Sequence, residues 1–386
     1  MRRTCAGWSR LAPVNQLPLS LQKKLDARAS AGSLRSLGKA VDGLVDFSSN
    51  DYLGLGREAV AIRAPLGSGG SRLLTGNHEG FEPLERLLSR FHKSEDALVM
   101  NSGYAANLAL LQAIPQRGDV VFYDSLSHAS MRDGLQLSHA RSVRFQHNDL
   151  QDLNACIERE RQNCTGRMYV LTESVFSMDG DSPDLAGLVA LAQKMNVRIL
   201  LDEAHAVGVV GALGAGLAAH LGLEDAIFAR VVTFGKAIGG HGAAILGSSE
   251  LKTYLINFAR PFIYSTALPL AATQHVMNSY TRLQQEPGRV EQLGEVVSRF
   301  RESVQKHNLH HYFIPSTTAI HCCVIPGNEQ VSLAAHLLQE AGHDVRPIKS
   351  PTVTAGRERL RFCLHSYNTA SQIDGVLAAL QVFLQS

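Results

Sequence analysis

The chain has 386 residues, of which 45% are hydrophobic and 19% charged, as is ordinary for a globular protein that buries a core without disulfides or structural metal. Its formal charge of +2 carries no sign of a nucleic-acid or membrane surface. No apolar run reaches the roughly 18 residues of a membrane span. The six cysteines form no CxxC pair and no zinc-like spacing. We therefore expect reduced thiols, a cytoplasmic location and no bound metal.

The N-terminal region is basic. Its first 40 residues hold eight Lys or Arg and one acid, Asp26. This balance also occurs in transit peptides, but the region lacks an apolar h-region. Residues 18–34, PLSLQKKLDARASAGSL, have the apolar spacing of an amphipathic helix. We predict an N-terminal segment over residues 1–48 whose helix is joined to the fold.

Short apolar stretches alternate with helical patterns between about residues 95 and 235. Continuous apolar strands separated by helices indicate a parallel sheet that is covered on both faces. Strands are predicted at 96–101, 119–124, 168–173, 197–202 and 229–234, and helices at 104–114, 128–137 and 185–195.

The pattern changes after about residue 270. One long helical pattern covers roughly residues 271–306, and strands at 319–325 and 359–365 follow with a helix at 331–342 between them. This order predicts a smaller α+β domain. The predicted fold class is therefore α/β, with a large, mostly parallel-sheet domain over residues 49–275 and a smaller C-terminal domain over residues 276–386.

Polar residues follow each predicted strand of the large domain. In an open parallel sheet, ligands bind at the carboxyl ends of the strands. A single strand-end carboxylate is commonly a helix cap, but several polar side chains at one sheet edge predict a site. The set consists of Asn101 to Tyr104, Asp124 with Ser127 and His128, Glu173 with Ser177, Asp202 with His205, and Thr233 with Lys236.

Lys236 lies in the stretch RVVTFGKAIGGHGAAIL, residues 230–246. A phosphate-binding P-loop would need glycine at position 230 and Ser or Thr at position 237, where the chain has Arg230 and Ala237. The glycines at 214–219 fit GxGxxA but lack the strand that must precede a dinucleotide fingerprint. The 16 histidines show no metal spacing. The lysine is therefore a candidate for covalent chemistry.

A lysine that forms a Schiff base must be partly neutral, which a desolvated pocket of small residues favours. Pyridoxal phosphate (PLP) also needs a carboxylate for its ring nitrogen, a donor for its ring oxygen, a flat group on its ring face, and hydroxyls or helix amides for its phosphate. The chain has strand-end candidates for these four needs in Asp202, His205, His128, and Thr233 with the Ser102-Gly103-Tyr104 turn.

Nine ordered segments, spread from about residue 18 to the C-terminus, resemble the α-oxoamine synthases. They include DFSSNDYLGLG, GSGGSRLLTGNH, NSGYAANLALL, TESVFSMDGD, LLDEAHAVGVVG and SPTVTAGRERLRFCLH. The resemblance implies the PLP fold type I, aminotransferase-like architecture and a reaction that joins an amino acid to an acyl thioester with loss of CO2. Within the family, FSSNDYLGL, VFSMDGD and YSTALP resemble members that use L-alanine and a pimeloyl thioester.

The resemblance also implies a role for individual residues. The catalytic residues would be Lys236, His128 and Asp202. Lys236 would hold PLP as a Schiff base. PLP would be bound by Gly103, Tyr104, His128, Ser177, Asp202, His205, Thr233 and Lys236, and by Thr266, which with Ser265 would reach the phosphate of a neighbouring subunit in a homodimer. Substrate would contact Arg35, Asn50, His128, Thr352 and Arg361.

Two alternatives stay open at this point. A sister enzyme could use glycine or serine, and a non-catalytic partner subunit would usually lack the Schiff-base lysine that this chain keeps. The segment at 55–66 is shorter than in some relatives, and Lys349 replaces an arginine found in some of them. Both departures lie near the predicted acyl entrance, so they concern the acyl substrate more than the cofactor.

Overall fold

The structure, a computed structural model, describes residues 16–37 and 43–385. The first 15 residues of the predicted N-terminal segment and residues 38–42 lie outside this description. Among the described residues, no helix has both the length and the apolar character that crossing a bilayer requires.

The helices are α1 (Leu19–Ser30), α2 (Phe81–Phe91), α3 (Gly103–Ala113), α4 (Ala129–Leu137), α5 (Leu150–Arg161), α6 (Leu185–Met195), α7 (Leu217–Leu221), α8 (Ser249–Phe258), α9 (Arg260–Ile263), α10 (Leu270–Gln285), α11 (Gly288–Lys306), α12 (Asn328–Glu340) and α13 (Ala370–Gln385). The strands are β1 (Val45–Asp46), β2 (Asp96–Met100), β3 (Val120–Asp124), β4 (Arg141–Phe145), β5 (Met168–Glu173), β6 (Arg198–Asp202), β7 (Ala229–Thr233), β8 (Ala243–Gly247), β9 (Ile320–Val324), β10 (His343–Asp344), β11 (Arg346–Ile348) and β12 (Arg359–Cys363).

A seven-stranded sheet in the order β2-β8-β7-β6-β5-β3-β4 forms the centre of the larger part of the chain. The run from β7 to β4 is parallel, and β8 is antiparallel to both of its neighbours. The mostly parallel sheet is therefore confirmed. Both faces are covered: Leu171 and Leu200 pack in one core cluster, whereas Val170 and Leu201 pack in another.

Two strands of this sheet were absent from the prediction, for different reasons. β4 is an edge strand whose Arg141, Ser142 and Arg144 are exposed, so it lacks a continuous apolar run. β8, with the sequence AAILG, directly follows the glycines after Lys236, and these glycines interrupt the apolar pattern that would mark a strand.

The C-terminal part contains an antiparallel sheet in the order β11-β12-β9 with α11, α12 and α13 packed around it. The single helical pattern predicted for 271–306 is wrong, because two helices, α10 and α11, occupy this range. The break falls at Glu286 and Pro287. A residue before proline is disfavoured in the helical conformation, and Glu286 has φ −121° and ψ 59°.

The N-terminal helix predicted within 18–34 is confirmed as α1, but none of its residues is buried. Its leucines stay exposed, as Leu19 shows with an exposed fraction of 73%. The segment is joined to the C-terminal part by its end, where Asn328 Nδ2 donates to the Ala31 carbonyl at 2.8 Å and Lys349 Nζ donates to the Gly32 carbonyl at 3.3 Å.

Candidate active site

The carboxyl ends of neighbouring strands bring the predicted polar residues together. Glu173 at the end of β5 is the register partner of Asp202 at the end of β6, and Thr233 ends β7 next to them. They face a cavity of about 290 Å³. Its lining includes Ser102, Gly103, Tyr104, Asn107, His128, Ser130, Glu173, Asp202, Ala204, His205, Thr233, Gly235, Lys236, His241 and Gly242.

Size alone does not select this cavity. Two others in the described part of the chain have volumes of about 550 and 750 Å³, and no lysine lines either of them. The smaller cavity at the sheet edge is the one that combines a lysine amine with carboxylates and imidazoles. The chemistry of the lining therefore places the candidate site there.

Lys236 begins a short 3-10 turn after β7, and its backbone has the left-handed φ of 55°. Its amine is withdrawn from solvent, and this burial lowers the pKa of Lys236 to about 8, although the nearby carboxylates of Asp202 and Glu173 act in the opposite direction. A substantial fraction of the amine is therefore neutral near pH 8, as a nucleophilic lysine requires.

The Asp202 carboxylate is 7% exposed and is held by two donors. Asn107 Nδ2 donates to its Oδ2 at 2.7 Å, and the Ala204 backbone N–H donates to its Oδ1 at 2.8 Å. Hydrogen bonds to a carboxylate favour its ionised form. Asp202 is thus suited to pair with a protonated ring nitrogen.

The His205 ring lies beside Asp202, and its Nδ1 is hydrogen-bonded to the Tyr52 hydroxyl at 2.8 Å. Burial, and then the charge of Lys236, hold the pKa of His205 well below its usual value. The imidazole is therefore neutral, so its Nε2 can donate a hydrogen bond only if Tyr52 donates to Nδ1.

His128 is fixed at the start of α4. Its backbone N–H donates to Glu173 Oε1 at 2.7 Å, and its ring Nδ1 lies 2.8 Å from Ser130 Oγ. Burial lowers the pKa of His128, so the ring is neutral at physiological pH. Burial and the adjacent Asp202 raise the pKa of Glu173 to about 8. Glu173 thus holds a proton at neutral pH.

The N-terminus of α3 closes the other end of the cavity. Ser102 caps the helix by accepting the Ala105 backbone N–H at 3.1 Å. A Cβ added to Gly103 would lie 2.5 Å from Thr233 Cγ2, so the backbone approaches the end of β7 closely. Free helix N–H groups beside a threonine hydroxyl make a site for an anion such as phosphate.

Tyr104 lies at the mouth of the cavity with 44% of its surface exposed, and its hydroxyl donates to Asp133. The predicted cofactor residues Gly103, Tyr104, His128, Asp202, His205, Thr233 and Lys236 all line this one cavity.

Six other predicted residues do not line the cavity: Arg35, Asn50, Ser177, Thr266, Thr352 and Arg361. On β12, Arg361 donates from Nε to the Ser177 carbonyl at 2.8 Å and from Nη2 to Asn50 Oδ1 at 3.0 Å. The Tyr52 hydroxyl lies 3.1 Å from Asn50 Oδ1 and 2.8 Å from His205 Nδ1, and its single hydrogen can be donated to only one of them at a time. These residues therefore connect to His205 through Tyr52 and lie beside the cavity. Arg35 and Thr352 belong to a different cavity.

The cavity that Arg35 and Thr352 line, the second cavity, has a volume of about 580 Å³. It lies between the end of the N-terminal segment and residues 347–352. Arg35 Nη2 donates to Thr352 Oγ1 at 3.2 Å within it, and Lys349 is part of its lining. Thr266 is exposed and lines neither cavity. The Asn101 amide donates to its carbonyl at 2.5 Å, next to the turn that opens α3.

The residues present fit PLP. The cavity offers a desolvated amine, a doubly hydrogen-bonded carboxylate, two neutral imidazoles and a glycine at the phosphate end where a Cβ would meet Thr233. Each could meet one need of the cofactor: Lys236 could attach it covalently, Asp202 could pair with its ring nitrogen, His205 could contact its ring oxygen, and the α3 N-terminus with Thr233 could bind its phosphate.

The sequence prediction gave no role to four residues of the site: Asn107, Ser130, Glu173 and Tyr52. Asn107 lies four residues after Gly103 and hence on the same face of α3. A polar residue on an inward helix face was the signal for it. Glu173 was grouped with the strand ends without a role, and the contacts of Tyr52 and Ser130 depend on distant parts of the chain.

The chain matches the aminotransferase class I and II family over residues 42–380. It therefore belongs to this family of PLP-dependent enzymes, and the predicted fold and cofactor are confirmed. Its α-oxoamine synthase character, predicted from the motifs, is confirmed by a relative: an 8-amino-7-oxononanoate synthase of Emericella nidulans is 38% identical, in an alignment that covers 95% of each chain.

Two solved structures share the fold. A serine palmitoyltransferase from S. paucimobilis, with PLP and myriocin bound, has a TM-score of 0.85 and 26% identity, and the match covers 95% of this chain and 97% of that one. An 8-amino-7-oxononanoate synthase from Francisella tularensis has a TM-score of 0.73 and 26% identity, and the match covers 89% of this chain and 99% of that one. Equal identities mean that the structures do not separate the two activities.

Proposed function

We propose that this chain catalyses the decarboxylative condensation of L-alanine with a pimeloyl thioester of CoA or acyl carrier protein, the 8-amino-7-oxononanoate synthase reaction of biotin biosynthesis. The observation that carries the proposal is the desolvated Lys236 facing Asp202, in a chain that is 38% identical along 95% of its length to a relative of that name.

PLP supplies, when bound, a carbonyl that takes up amines and an electron-withdrawing ring that stabilises negative charge on the adjacent carbon. The chain's own residues manage the protons. The neutral Lys236 amine accepts the Cα proton of alanine as a general base, an effect typically worth about 10²–10⁴ in rate. Asp202, ionised and held by Asn107, keeps the ring nitrogen protonated.

Bond changes in the reaction balance without a further reactant. The Cα–H bond breaks, a C–C bond forms to the thioester carbonyl, and the thiolate leaves. The amino-acid carboxylate then departs as CO2, and the carbon is protonated again. His128 lines the cavity with a neutral ring, where it is placed to orient the substrate.

Arg361 binds the carboxylate of alanine in this proposal. The Ser177 carbonyl and the Asn50 amide fix the plane of its guanidinium, so its remaining N–H groups can form a bidentate pair. The cations of Arg35 and Lys349 lie in the second cavity, together with Thr352. This cationic lining suits an anionic acyl donor.

We further propose that the enzyme acts as a homodimer in which Thr266, with Ser265, completes the phosphate site of the second copy. Thr266 is exposed and lies beside the turn that opens α3. The surface around it is apolar: Leu73, Leu74 and Tyr264 are 48%, 82% and 73% exposed. An exposed apolar surface next to the phosphate end supports a contact with a second copy. Within residues 16–37 and 43–385 the five cysteines are free and four of them are buried, which supports a cytoplasmic location.

The second candidate is serine palmitoyltransferase activity, which the TM-score of 0.85 to such an enzyme favours. Mass spectrometry of products separates the candidates. The protein is incubated with PLP and either L-alanine and pimeloyl-CoA, L-serine and palmitoyl-CoA, or glycine and acetyl-CoA. We expect 8-amino-7-oxononanoate from the first mixture. Product from the second or third mixture alone would contradict the proposal, and Lys236→Ala should form no product in any mixture.

A further inference from the structure

A chain of hydrogen bonds through the buried side chains of Asn107 and Ser130 runs from the carboxylate of Asp202 to the imidazole of His128. Asn107, on α3, is 2% exposed, and its Nδ2 lies 2.7 Å from Asp202 Oδ2 and 3.0 Å from Ser130 Oγ. Ser130, in the first turn of α4, is 1% exposed, and its Oγ lies 2.8 Å from His128 Nδ1. One amide side chain therefore bridges two residues that face the cofactor cavity.

The direction of each hydrogen bond follows from the groups involved. A carboxylate only accepts, so Asn107 must turn its NH2 group toward Asp202. The second N–H of that group then faces Ser130 Oγ, which leaves the Ser130 hydroxyl hydrogen for His128 Nδ1. The Ser130 backbone N–H points at the same ring nitrogen at 3.2 Å.

This arrangement determines the state of two functional groups. His128 Nδ1 receives two donors and carries no hydrogen, so the neutral ring must carry its hydrogen on Nε2. Both carboxylate oxygens of Asp202 accept an N–H group, Oδ2 from Asn107 and Oδ1 from Ala204, so the orientation of the carboxylate is fixed at both atoms. Buried networks of this kind are rigid when every member is satisfied.

We propose that Asn107 is a positioning residue for the reaction: it holds the ionised Asp202 carboxylate toward the cofactor's ring nitrogen and, through Ser130, fixes the His128 tautomer that carries Nε2–H in the cavity. The proposal rests on the roles proposed above for Asp202 and His128. It does not depend on which amino acid or acyl donor the enzyme uses.

The test measures the Kd of PLP for the apoprotein from the visible absorbance of the bound cofactor, without amino acid or acyl donor. Asn107→Leu keeps the side-chain volume and removes both donors. We expect the Kd to rise about tenfold or more, since the lost hydrogen bond is to a charged group. In an Asp202→Asn background the same substitution should change the Kd by less than about threefold, because the two residues are coupled.

An unchanged Kd in Asn107→Leu, or an equal change in both backgrounds, overturns the proposal. If circular dichroism shows that Asn107→Leu does not fold, Ser130→Ala decides. It should raise the Kd about three- to tenfold, but not when His128 is replaced by Asn; an equal effect in both backgrounds again overturns the proposal. Ser279→Ala removes another helical serine that is 4% exposed and should leave PLP binding unchanged. Because no substrate is present, this outcome is independent of the product assay.

Discussion

Lys236 combines an unusual backbone with an unusual amine. Its φ of 55° lies in the left-handed region, which costs a residue with a side chain roughly 1–2 kcal/mol. Gly235 precedes it and Gly239 ends its turn. A Cβ added to Gly239 would lie 2.2 Å from the backbone nitrogen of Gly56. The surrounding turn therefore has no room to relax, and it keeps the amine directed into the cavity.

The lowered pKa of Lys236 predicts how the apoprotein captures PLP. Only the neutral amine attacks the PLP carbonyl, so the capture rate should rise with pH and level off above the folded pKa of about 8. An ordinary lysine would give a rate that still rises toward about pH 10.4. Stopped-flow absorbance between pH 6 and 10 measures this. A rate that keeps rising steeply above pH 9 contradicts the prediction, and Lys236→Ala should give no covalent band.

Arg361→Ala is predicted to weaken the enzyme's use of alanine specifically. Loss of a charge-assisted pair to the alanine carboxylate should raise the KM for alanine about 10- to 100-fold, with the KM for the acyl donor little changed. Steady-state kinetics with each substrate varied in turn tests this. Arg357→Ala, on the exposed loop before β12, is the control. Equal changes in both KM values would argue for a general structural role instead.

At the scale of secondary-structure elements, the site depends on where strands end and helices begin. The Gly103 turn of α3 and the Thr233 end of β7 come so close that a methyl group does not fit, and Thr233 is β-branched and cannot easily turn away. Farther along the sheet edge, the His147 side chain connects the loops that follow β3, β4 and β5 by hydrogen bonds. Its ring lies 2.8 Å from both Asp124 and Asp181.

Gly103→Ala should therefore weaken cofactor binding. The new Cβ would lie 2.5 Å from Thr233 Cγ2, and an overpacked contact costs about 1–3 kcal/mol. We expect the Kd of PLP to rise about tenfold or more, measured by absorbance titration. Gly67→Ala is the matched control, because a Cβ there meets nothing within 4 Å. Equal Kd values in the two variants would show that Thr233 has room to move.

His147 predicts a pH dependence of stability. Burial alone would lower its pKa, but hydrogen bonds to Asp124 and then Asp181 outweigh it and raise the pKa of His147 to about 9. The unfolded value is about 6.5. A raised folded pKa gives stability that is complete below pH 6.5 and is lost as the pH rises through 9.

Relative to His147→Gln, the free energy of unfolding of the wild-type protein should thus fall by on the order of 2–3 kcal/mol between pH 6.5 and 9. Urea denaturation at several pH values measures the difference. His139→Gln, at an exposed position, should follow the wild-type profile. A His147→Gln profile that parallels the wild type would exclude this ion-pair contribution.

Sequence patterns were sufficient to predict the bounds of an element where its local residue pattern agreed with its place in the fold. β5 and α6 have the predicted bounds, 168–173 and 185–195, because each is a continuous or helically spaced apolar run. The sequence pattern does not show β4, because its edge position leaves arginines exposed. It does not show the break at Pro287 either, because helical periodicity continues on both sides of the proline. The strand-end residues around Lys236 could be predicted, since a parallel sheet brings them to one edge. The contact of Asn107 with Ser130 could not, because it depends on the packing of α3 against α4.

At the scale of the whole molecule, the chain is divided between a sheet that holds the cofactor residues and a C-terminal part that carries Arg361. We keep the division into an N-terminal segment, a large domain and a small domain as a proposal; the expected boundary at residues 275 and 276 falls inside α10. Thr266 lies just before this helix on an exposed surface. Its proposed action on the second copy can be tested by mixing variants.

Lys236→Ala and Thr266→Glu should each be inactive alone, the second because a carboxylate would repel the phosphate. Co-expressed in equal amounts, they should regain activity, since each mixed dimer has one site with both native residues. About a quarter of all sites would then be intact if pairing is random. Lys236→Ala mixed with Asp202→Ala is the control, because both changes affect the cavity of their own chain and no intact site forms. No recovery with Thr266→Glu would contradict a shared site.

Placing Arg361 on β12, away from the sheet edge that carries Lys236, has an evolutionary consequence. The residues proposed to hold the cofactor and the arginine proposed to bind the amino acid lie on different elements and connect through few side chains, Asn50 and Tyr52 among them. Substitutions near β12 can therefore alter which amino acid is accepted while the lysine, its carboxylate partner and the phosphate end stay intact. A gene for one such enzyme could, after duplication, give rise to an enzyme for a different amino acid in few mutational steps.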